Sequence, residues 1–578
     1  MRRDIGEAQE AHIPHDGNNV DKRLMNGANS MIGVHGFMSS SSKDEHVDVL
    51  IIGAGFAGVY LLYQLRGRGF AVKVVEAGSD LGGVWHWNRY PGARVDSQYP
   101  VYCYSLPEVY EDWSWTTEFP DWEELQRYFQ HVDKKLSIKK DTVFKTKVIS
   151  ADFDATTDVW TIKCDTGKIY YSQYLIASTG FAAKRYIPDY DGLDSFKGIM
   201  HHSSFWPTEP INVRGRRVGV LGSGSTGIQI AQEWAKEIGE TGDLKLFQRT
   251  PNLCCPMRQK PLTPEQQKED KTKYREWFNQ RWNNYGGFLY QYRDSLTFDQ
   301  TPEQRRALYE ELWMMGGFRF LMNNYFDMTR DVKANREAYN FWRDKVRLRI
   351  KDPAKADLLA PMEPPHPFGA KRVALEQGFY DEFNKPNVNV FDIKTYPIIR
   401  FEPEGIRTSD GTLHKLDVIA IATGFDSITG GLKDISIKGL DGELLSSKWA
   451  KGTWTYLGMA TARFPNFFFT YGPQAPTAFS NGPACIELQA DWLVDLLVHM
   501  REMGYRRVDA QNDAEQQWRS TVNDLSARGL RHTTDSWYNG SNIPGKPREP
   551  LNYAGGLPLY RKTLTDVKDH NYKGFELQ

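Results

Sequence analysis

The sequence predicts an α/β fold with two Rossmann-like dinucleotide-binding domains and a helical insertion in the second of them. Two glycine-rich stretches, GAGFAG at 53–58 and GSGSTG at 222–227, each stand between a predicted strand and a predicted helix. Residues 263–350 lack this alternation and contain TPEQ twice, which predicts capped helices with proline at the first helical position. A chain of 578 residues is also too long for one hydrophobic core.

The composition excludes several classes of partner and site. Lysine and arginine total 72 and aspartate and glutamate 73, so the net charge of −1 gives no long-range attraction for nucleic acid or an anionic membrane, and we expect neither. The five cysteines form no CxxC pair, which predicts a reducing, cytoplasmic location without a metal site or dithiol centre. Residues 1–44 have no apolar core and are predicted to form an N-terminal arm, not a targeting signal.

The first glycine motif has the pattern of a complete β-α-β unit. Strands are predicted at 47–52 and 72–75, with a helix between them that ends near Arg66. Three glycines allow the tight turn, the approach of a pyrophosphate and the packing of helix on strand: Gly53, Gly55 and Gly58. Glu76 ends the second strand, where a carboxylate can accept hydrogen bonds from ribose hydroxyls.

The second glycine motif repeats the pattern but lacks the acid. Strands are predicted at 218–221 and 244–247, and Arg249 and Thr250 follow the latter. A guanidinium binds a 2′-phosphate through a planar pair of hydrogen bonds, which predicts selectivity for NADPH. The alternative is a surface arginine beside an NADH site. The candidate residues at the start of the helix are Gly222, Gly224, Ser225, Thr226, Gly227 and Gln229.

Two nucleotide sites of different preference imply two cofactors that exchange electrons. FAD, as the carrier that stays in place, is assigned to the first site and NADPH to the second. Two strands that end in Thr-Gly, at 175–181 and 417–426, are expected to return the chain to the flavin domain. The predicted layout begins with an arm at 1–44. The FAD-binding domain has two parts, 45–206 and 386–578, and the second part includes the C-terminal cofactor and substrate loops. The NADP-binding domain lies between them at 207–385, with its helical insertion at about 263–350.

A segment between the two motifs, FKGIMHHSSFWP at 196–207, points to a family. It resembles the FxGxxxHxxxW[PD] fingerprint of the type I (class B) flavoprotein Baeyer–Villiger monooxygenases. The matching residues are Phe196, Gly198, His202, Trp206 and Pro207. The resemblance extends over about residues 45–565, through GGVWHWNRYPGARVDSQ, FQRTPN, PFGAKR, ATGFD, TYLG, GPQAPTAFSN and SWYNGSNIPGK.

This resemblance implies an FAD- and NADPH-dependent enzyme that inserts one atom of O2 next to a ketone carbonyl, through a C4a-peroxyflavin, to give an ester or lactone. The family's essential arginine matches Arg372 in PFGAKR, and the carboxylate that holds it matches Asp96 in GARVD. Arginine suits the role because it does not give up its proton to the peroxide, as lysine or histidine can. Lys371 matches a second ligand of the 2′-phosphate.

The same resemblance implies further contacts with the cofactors. Flavin contacts correspond to Val84, Trp85, Trp87 and Tyr102. Loop 472–482 corresponds to the lining of the ketone pocket, with Ser480, Asn481 and Gly482 nearest the flavin. Trp537, in a loop flanked by glycine and proline, corresponds to a mobile tryptophan that reaches the nicotinamide ribose.

The sequence leaves alternatives for one residue and for the activity. His202 either transfers protons or fixes the crossover between the domains, and its place in a linker favours the second, hinge-like role. The runner-up activity is N- or S-oxygenation, which the Trp-Pro ending of the fingerprint and the Lys371-Arg372 pair disfavour. A dithiol reductase would need a CxxC, and a non-enzymatic flavoprotein would not need Arg372 and Asp96 together. The expected partners are a ketone and O2, and the chain is predicted to be a monomer or a weak homo-oligomer.

Overall fold

Two sheets organise the part of the chain that the computed structural model describes, residues 44–578; the predicted arm falls outside these residues except for Asp44. Within that part, the first sheet has eight strands. In spatial order these are Ser436–Lys438, Val148–Asp154, Val159–Cys164, Ile169–Ala177, Glu45–Ile52, Val72–Val75 and Thr142–Val143, with Phe467–Phe469 paired to the end of Ile169–Ala177.

The first glycine motif is folded as the sequence predicts. The strand Glu45–Ile52 leads into the helix Phe56–Gly67, and Val72–Val75 pairs with Glu45–Ile52 in parallel. The apolar run 49–52 is buried, as expected for a central parallel strand that is covered on both faces. The helix Gly482–Met503 packs against Phe56–Gly67 and closes that side of the sheet.

The second sheet is fully parallel and contains the second glycine motif. Its strands, in spatial order, are Val388–Asp392, Asp243–Gln248, Arg217–Leu221, Val418–Ile421 and Ile199–His202. The predicted strands at 218–221 and 244–247 are confirmed, and the helix Ser225–Glu237 lies between them in sequence. Strands of this sheet lie beyond the predicted domain limits of 207 and 385 on both sides.

The two Thr-Gly turns have the same position in different sheets. The turn after Ile169–Ala177 closes over the first glycine motif, whereas the turn after Val418–Ile421 closes over the second. The strand before the second turn belongs to the second sheet, and the next strand along the chain belongs to the first. That turn ends a strand bonded to the Arg217–Leu221 strand, and the chain rejoins the first sheet only later, at Ser436–Lys438.

The insertion is helical, as predicted. Its helices are Pro264–Lys271, Tyr274–Arg281, Pro302–Met315, Arg319–Met322 and Val332–Arg347, and Pro353–Leu359 follows. Thr301 forms the predicted capping box with Gln304, while the Thr263 hydroxyl accepts the bond from the Gln266 amide without the reciprocal bond. The aromatic residues are core, as expected: Trp313, Phe320, Phe341 and Trp342 are all buried.

The remaining elements surround the two sheets. The longer helices are Trp122–Leu136, Asn512–Ala527 and Gly556–Asp569, and an antiparallel meander contains Ile398–Glu402, Gly405–Thr408 and Leu413–Lys415. Two small ladders pair Cys255–Pro256 with Leu375–Glu376 and Val508–Ala510 with Phe575–Leu577. None of the helices in residues 44–578 has both the length and the apolar character that a membrane crossing requires.

Candidate active site

One cavity of about 1000 Å³ contains most of the predicted site residues. It lies at the carboxyl ends of parallel strands of both sheets, beside the two glycine loops, which is where open α/β sheets bind their ligands. The predicted residues on its wall are Gly53, Gly55, Glu76, Val84, Trp85, Trp87, Asp96, Tyr102, Gly222, Gly224, Ser225, Thr226, Arg249, Thr250, Lys371, Arg372 and Trp537. Four predicted cofactor residues are absent from the lining: Gly58, Gly227, Gln229 and Asn481.

The first glycine loop is shaped by contacts that no side chain would permit. Gly53 has φ +103°, and a Cβ there would lie 2.6 Å from the Ser178 carbonyl oxygen. A Cβ on Gly58 would lie 1.9 Å from the Gly53 carbonyl oxygen. Glycine at this position therefore lets the helix pack closely against the loop. The loop thus leaves its amides at the start of a helix, a site suited to a pyrophosphate.

Glu76 supports this loop from inside. The side chain is only 5% exposed, and its two oxygens accept hydrogen bonds from the amides of Ala54 (2.7 Å) and Gly78 (2.6 Å). Burial raises the pKa of the Glu76 carboxyl, and these two backbone bonds oppose part of that rise. The carboxylate has further lone pairs on the cavity wall, where a ribose can donate to it.

The second glycine loop has the same backbone but more open space. Gly222 has φ +108°, and a Cβ there would lie 2.5 Å from the Ala422 carbonyl oxygen. A Cβ on Gly224, in contrast, would meet no atom within 4 Å. Gln229 does not face the cavity, because its amide oxygen accepts from the Tyr90 hydroxyl (2.9 Å) and its amide nitrogen donates to the Arg94 carbonyl (3.2 Å). Gln229 therefore ties the second domain to the first.

Two cations stand beside the second loop. Arg249 is exposed, and within residues 44–578 it makes no hydrogen bond or ion pair. Lys371 lies close enough that burial and the charge of Arg249 both lower the pKa of the lysine, with Asp535 opposing them. Two cations brought together without a bound carboxylate form a good site for a phosphate.

Arg372 is held by Asp96 on the cavity wall. Its Nε donates to Oδ2 of Asp96 (2.7 Å) and its Nη2 to Oδ1 (2.8 Å), while Nη1 donates to the Ala478 carbonyl (3.0 Å). Burial alone lowers the pKa of Arg372, but the charge and hydrogen bonds of Asp96 outweigh burial and hold the pKa above its ordinary value. Three of the five N–H groups are thus bonded to protein, which leaves two for a ligand in the cavity.

Aromatic residues surround this pair. The guanidinium of Arg372 lies 4.9 Å from the centre of the Phe318 ring, a residue of the insertion. On the flavin side, the indole N–H of Trp85 donates to the Tyr102 hydroxyl (3.1 Å). Trp85 belongs to the short helix Val84–Trp87, which begins directly after the paired glycines 82 and 83. A ring from the insertion therefore lies against the cation.

Of two predicted loop residues, Trp537 lines the cavity and Asn481 does not. Trp537 lines the cavity and stacks on Phe181, with ring centres 5.6 Å apart. Asn481 is fully buried and caps the helix Gly482–Met503, its side chain accepting from the Ala484 amide (3.1 Å). Asparagine before a helix with proline in its first turn is a common N-cap, which explains why its side chain turns away from the cavity. The neighbouring Ser480 and Gly482 do line the cavity.

The five matching residues of the fingerprint do not line the cavity, although Ser204 and Phe205 of the same segment do. The edge strand Ile199–His202 carries His202, which is 3% exposed; its Nε2 donates to the Gly424 carbonyl (3.1 Å) and its Nδ1 lies 2.9 Å from the Ser204 hydroxyl. A Cβ on Gly198 would lie 2.4 Å from the Asp417 carbonyl oxygen. Trp206 packs on Trp234 of the second-domain helix. These contacts fix the path of a crossover.

Comparison with known proteins agrees with this geometry. Residues 46–241 match the family model FMO-like, flavin-binding monooxygenase-like. The chain is 43% identical over 538 residues to cyclopentanone 1,2-monooxygenase of Comamonas sp. (strain NCIMB 9872), covering 93% of this chain and 97% of the relative. It is 41% identical over 543 residues to FAD-binding monooxygenase acrE of Aspergillus aculeatus, covering 94% and 91%.

Solved structures match over the same length. Cyclohexanone monooxygenase from Rhodococcus sp. Phi1 bound to NADP+ superposes with a TM-score of 0.89 at 34% identity, covering 93% of this chain and all of that one. This chain is a Baeyer–Villiger monooxygenase of the flavin-binding family. The OTEMO complex with FAD and NADP superposes with a TM-score of 0.88 at 34% identity, again over 93% of this chain and all of that one.

As a member of the Baeyer–Villiger monooxygenases, the protein is an NADPH- and FAD-dependent enzyme, and its fold and cofactors are as predicted. One relative carries a name of the runner-up class: phenazine N-monooxygenase PhzNO1 of Lysobacter antibioticus is 35% identical over 535 residues, covering 92% of this chain and 97% of the relative.

The sequence reasoning missed several residues of this Baeyer–Villiger monooxygenase site. Tyr90, within the motif that contains Asp96, bonds to both Thr226 (3.2 Å) and Gln229 and so connects the two domains. Phe181, next to a Thr-Gly turn, stacks on Trp537. Their motif neighbours could have marked these two residues, whereas Phe318 lies in the insertion, where no motif marks it.

Proposed function

We propose that this Baeyer–Villiger monooxygenase oxidises a ketone to an ester or lactone, with Arg372 as its catalytic cation and Asp96 as the residue that positions it. The observation that carries the proposal is the bidentate Arg372–Asp96 pair on the wall of a cavity shared by both glycine loops. A small cyclic ketone is the first substrate to test, because the relative from Comamonas is named for cyclopentanone.

The residues present suit both cofactors. Gly53, Gly55 and Glu76 would hold FAD, since the loop opens to the cavity and the acid faces it; Gly224 and Arg249 would hold NADPH with Lys371. When bound, these cofactors supply the two electrons and the activation of O2 that the reaction needs. The chain itself binds them, orients the ketone and keeps a positive charge beside it.

The role of Arg372 follows from its charge. An oxygen that becomes negative when a carbonyl is attacked is stabilised by a fixed cation in a site with little water. Arginine remains charged at any working pH, and Asp96 holds its plane before the reaction begins. Arg372 lines the cavity in which the ketone would lie, and two of its N–H groups have no hydrogen-bond partner within residues 44–578.

The runner-up, N- or S-oxygenation, needs no such stabilisation, because an amine or thioether accepts an oxygen atom without forming an oxyanion on the substrate. The Arg372–Asp96 pair therefore favours the ketone. The deciding assay supplies the holoenzyme with NADPH and either cyclopentanone or a thioether and measures products by gas chromatography. We expect lactone from the ketone as the main product. Sulfoxide without lactone would instead select the runner-up.

We further propose a cytoplasmic location. All five cysteines are free and buried, which suits a reducing compartment. The expectation of a monomer or weak homo-oligomer remains a prediction that light scattering of the purified protein would decide.

A further inference from the structure

A second cavity, of about 90 Å³, lies behind the loop that carries Ala478. Phe479 and Tyr538 line this second cavity, while Ala478 and Trp537, their chain neighbours, line the first. The rings of Phe479 and Tyr538 meet edge to face, with centres 4.9 Å apart. A single layer of protein, with two aromatic rings on its far side, therefore separates the second cavity from the wall that holds Arg372.

The wall of the second cavity is strongly cationic. It includes four arginines and one glutamate. The glutamate, Glu549, is already used: it accepts from the Thr453 amide (2.7 Å) and pairs with Arg519 (3.1 Å). One arginine, Arg548, pairs with Asp535 (3.0 Å). The other three have no ion pair within residues 44–578: Arg330, Arg528 and Arg531.

Arg531 has the most distinctive surroundings of the three. Unlike Arg330 and Arg528 it is half-buried, and its guanidinium lies 4.6 Å from the centre of the Phe479 ring. Within residues 44–578 no carboxylate pairs with it. A guanidinium taken partly out of water gains most from a carboxylate, which matches its fork with two parallel hydrogen bonds.

We propose that the second cavity binds a carboxylate on the ketone substrate, so that the preferred substrate is a keto acid and Arg531 is the residue that selects it. This inference rests on the proposed function. Arg372 and Arg531 contact adjacent residues of one loop, the carbonyl of Ala478 and the ring of Phe479. A ketone beside the first and a carboxylate beside the second can therefore belong to one small molecule.

The Phe479 side chain is the part that must move. It is half-buried and held by the edge of Tyr538 and the charge of Arg531. When the ring turns aside, the two cavities join, and Arg531 exchanges its cation–π contact for an ion pair with the carboxylate. A volume of about 90 Å³ holds roughly six water molecules, enough for a carboxylate with one or two methylene groups.

The test compares two ketones that differ only in charge. The holoenzyme is assayed with cyclopentanone and with (3-oxocyclopentyl)acetic acid, in the parent and in Arg531→Gln. We expect the parent to prefer the keto acid, and Arg531→Gln to lower kcat/KM for the keto acid roughly tenfold to a hundredfold. For cyclopentanone we expect a change of less than about threefold. Arg400→Gln is the matched control, because Arg400 is an exposed residue of the meander, paired with Glu402.

Binding gives a second measurement that does not depend on oxygenation. Calorimetric titration of the oxidised holoenzyme with the keto acid, in the presence of NADP+, should give a Kd that is weaker by a similar factor in Arg531→Gln and unchanged in Arg400→Gln. Equal affinity in parent and Arg531→Gln overturns the inference even if lactone is formed. Weaker binding in Arg531→Gln without lactone from either ketone supports the carboxylate site and overturns the proposed function alone.

Discussion

The two glycine loops have the same backbone and opposite surroundings. Gly53 and Gly222 have nearly equal φ angles, and each lies against the carbonyl of a Thr-Gly turn in its own sheet. Around the first loop, Glu76 is buried and bonded to the loop itself. Around the second, Arg249 is exposed and has no partner among the described residues.

This difference matches the two cofactors. A loop whose recognition residue is already bonded in the free protein is preorganised, which lowers the ordering cost of binding and suits a cofactor that stays. An exposed arginine and a lysine with a lowered pKa gain most when a phosphate arrives, which suits a cofactor that enters and leaves. Arg372 belongs to neither recognition set, although it lies on the wall of the cavity that both loops share.

The largest effect is expected for Arg372→Ala. Loss of a fixed charge that stabilises an oxyanion costs about 3–4 kcal/mol, a fall of roughly a hundredfold to a thousandfold in product formation. FAD should stay bound and NADPH should still be consumed, since both recognition sets are intact, with the electrons passing to O2 as hydrogen peroxide. The measurement is ester formed per NADPH consumed.

Two variants control this result. Arg372→Lys should not restore coupling, because an ammonium lacks the planar fork that Asp96 holds. Asp96→Ala should give a milder loss of coupling, because the cation remains but is no longer held in place. Near-normal coupling in Arg372→Ala would show that another group supplies the catalytic charge.

The next effect concerns the second loop. Arg249→Ala removes a charge-assisted phosphate contact worth about 1.5–3 kcal/mol, so kcat/KM for NADPH should fall roughly tenfold or more while that for NADH stays within about twofold. FAD content is the internal control, because Arg249 takes no part in the first loop. Equal use of NADPH and NADH by the parent enzyme would contradict the assignment of the two loops.

A smaller effect is expected at the first loop. Glu76→Gln keeps the shape and one oxygen acceptor, but one of the two backbone amides loses its partner at a cost of about 1 kcal/mol. The Kd for FAD should therefore rise roughly fivefold, and part of the flavin should be lost on gel filtration. The ratio of NADPH to NADH efficiency should not change. A change in that ratio with normal flavin content would mean that the loops are not independent.

The local parts of this site could be predicted from the sequence because neighbours in the chain determine them. Glu76 follows the strand that pairs beside its own glycine loop, so a pattern of about thirty residues contains all of the information. Arg372 and Asp96 are 276 positions apart, and nothing local indicates that they meet. Arg372 and Asp96 could be predicted as a pair only because their motifs resemble those of a known family.

What the sequence reasoning left out has two physical origins. The bond of the Asn481 side chain to its own helix is a local N-cap preference, and the contact of Asn481 with the flavin stays a prediction. The strand before the second Thr-Gly turn joins the second sheet through pairing with distant strands, which the sequence around it does not show. Arg531 and Phe479 meet only in the folded chain, so their cavity could not be found from the sequence.

The smallest effect on catalysis is expected for His202→Gln. Burial lowers the pKa of His202 to about 4, so the ring is neutral across the working range, and both of its nitrogens lie at hydrogen-bond distance from Ser204 and Gly424. A group of this kind does not titrate near pH 7. The pH profile of kcat between pH 6.5 and 8.5 should therefore have the same shape in parent and variant. If one limb of the pH profile of kcat were present in the parent and absent in His202→Gln, His202 would be an acid–base residue instead.

The free energy of unfolding should depend on pH through His202, although the pH profile of kcat should not. Because the folded pKa of His202 lies below its ordinary value of 6.5, the unfolded chain binds more protons between these two values. The stability that this site contributes is complete above about pH 6.5 and is lost as the pH falls towards 4, to a total of about 3 kcal/mol. Other buried histidines, such as His86, titrate alike in both proteins, so the difference between parent and variant in urea unfolding isolates His202. A difference that stays constant from pH 7 to pH 4.5 would show that His202 has the same pKa in the folded and the unfolded chain, so that burial does not keep its ring neutral as the pH falls.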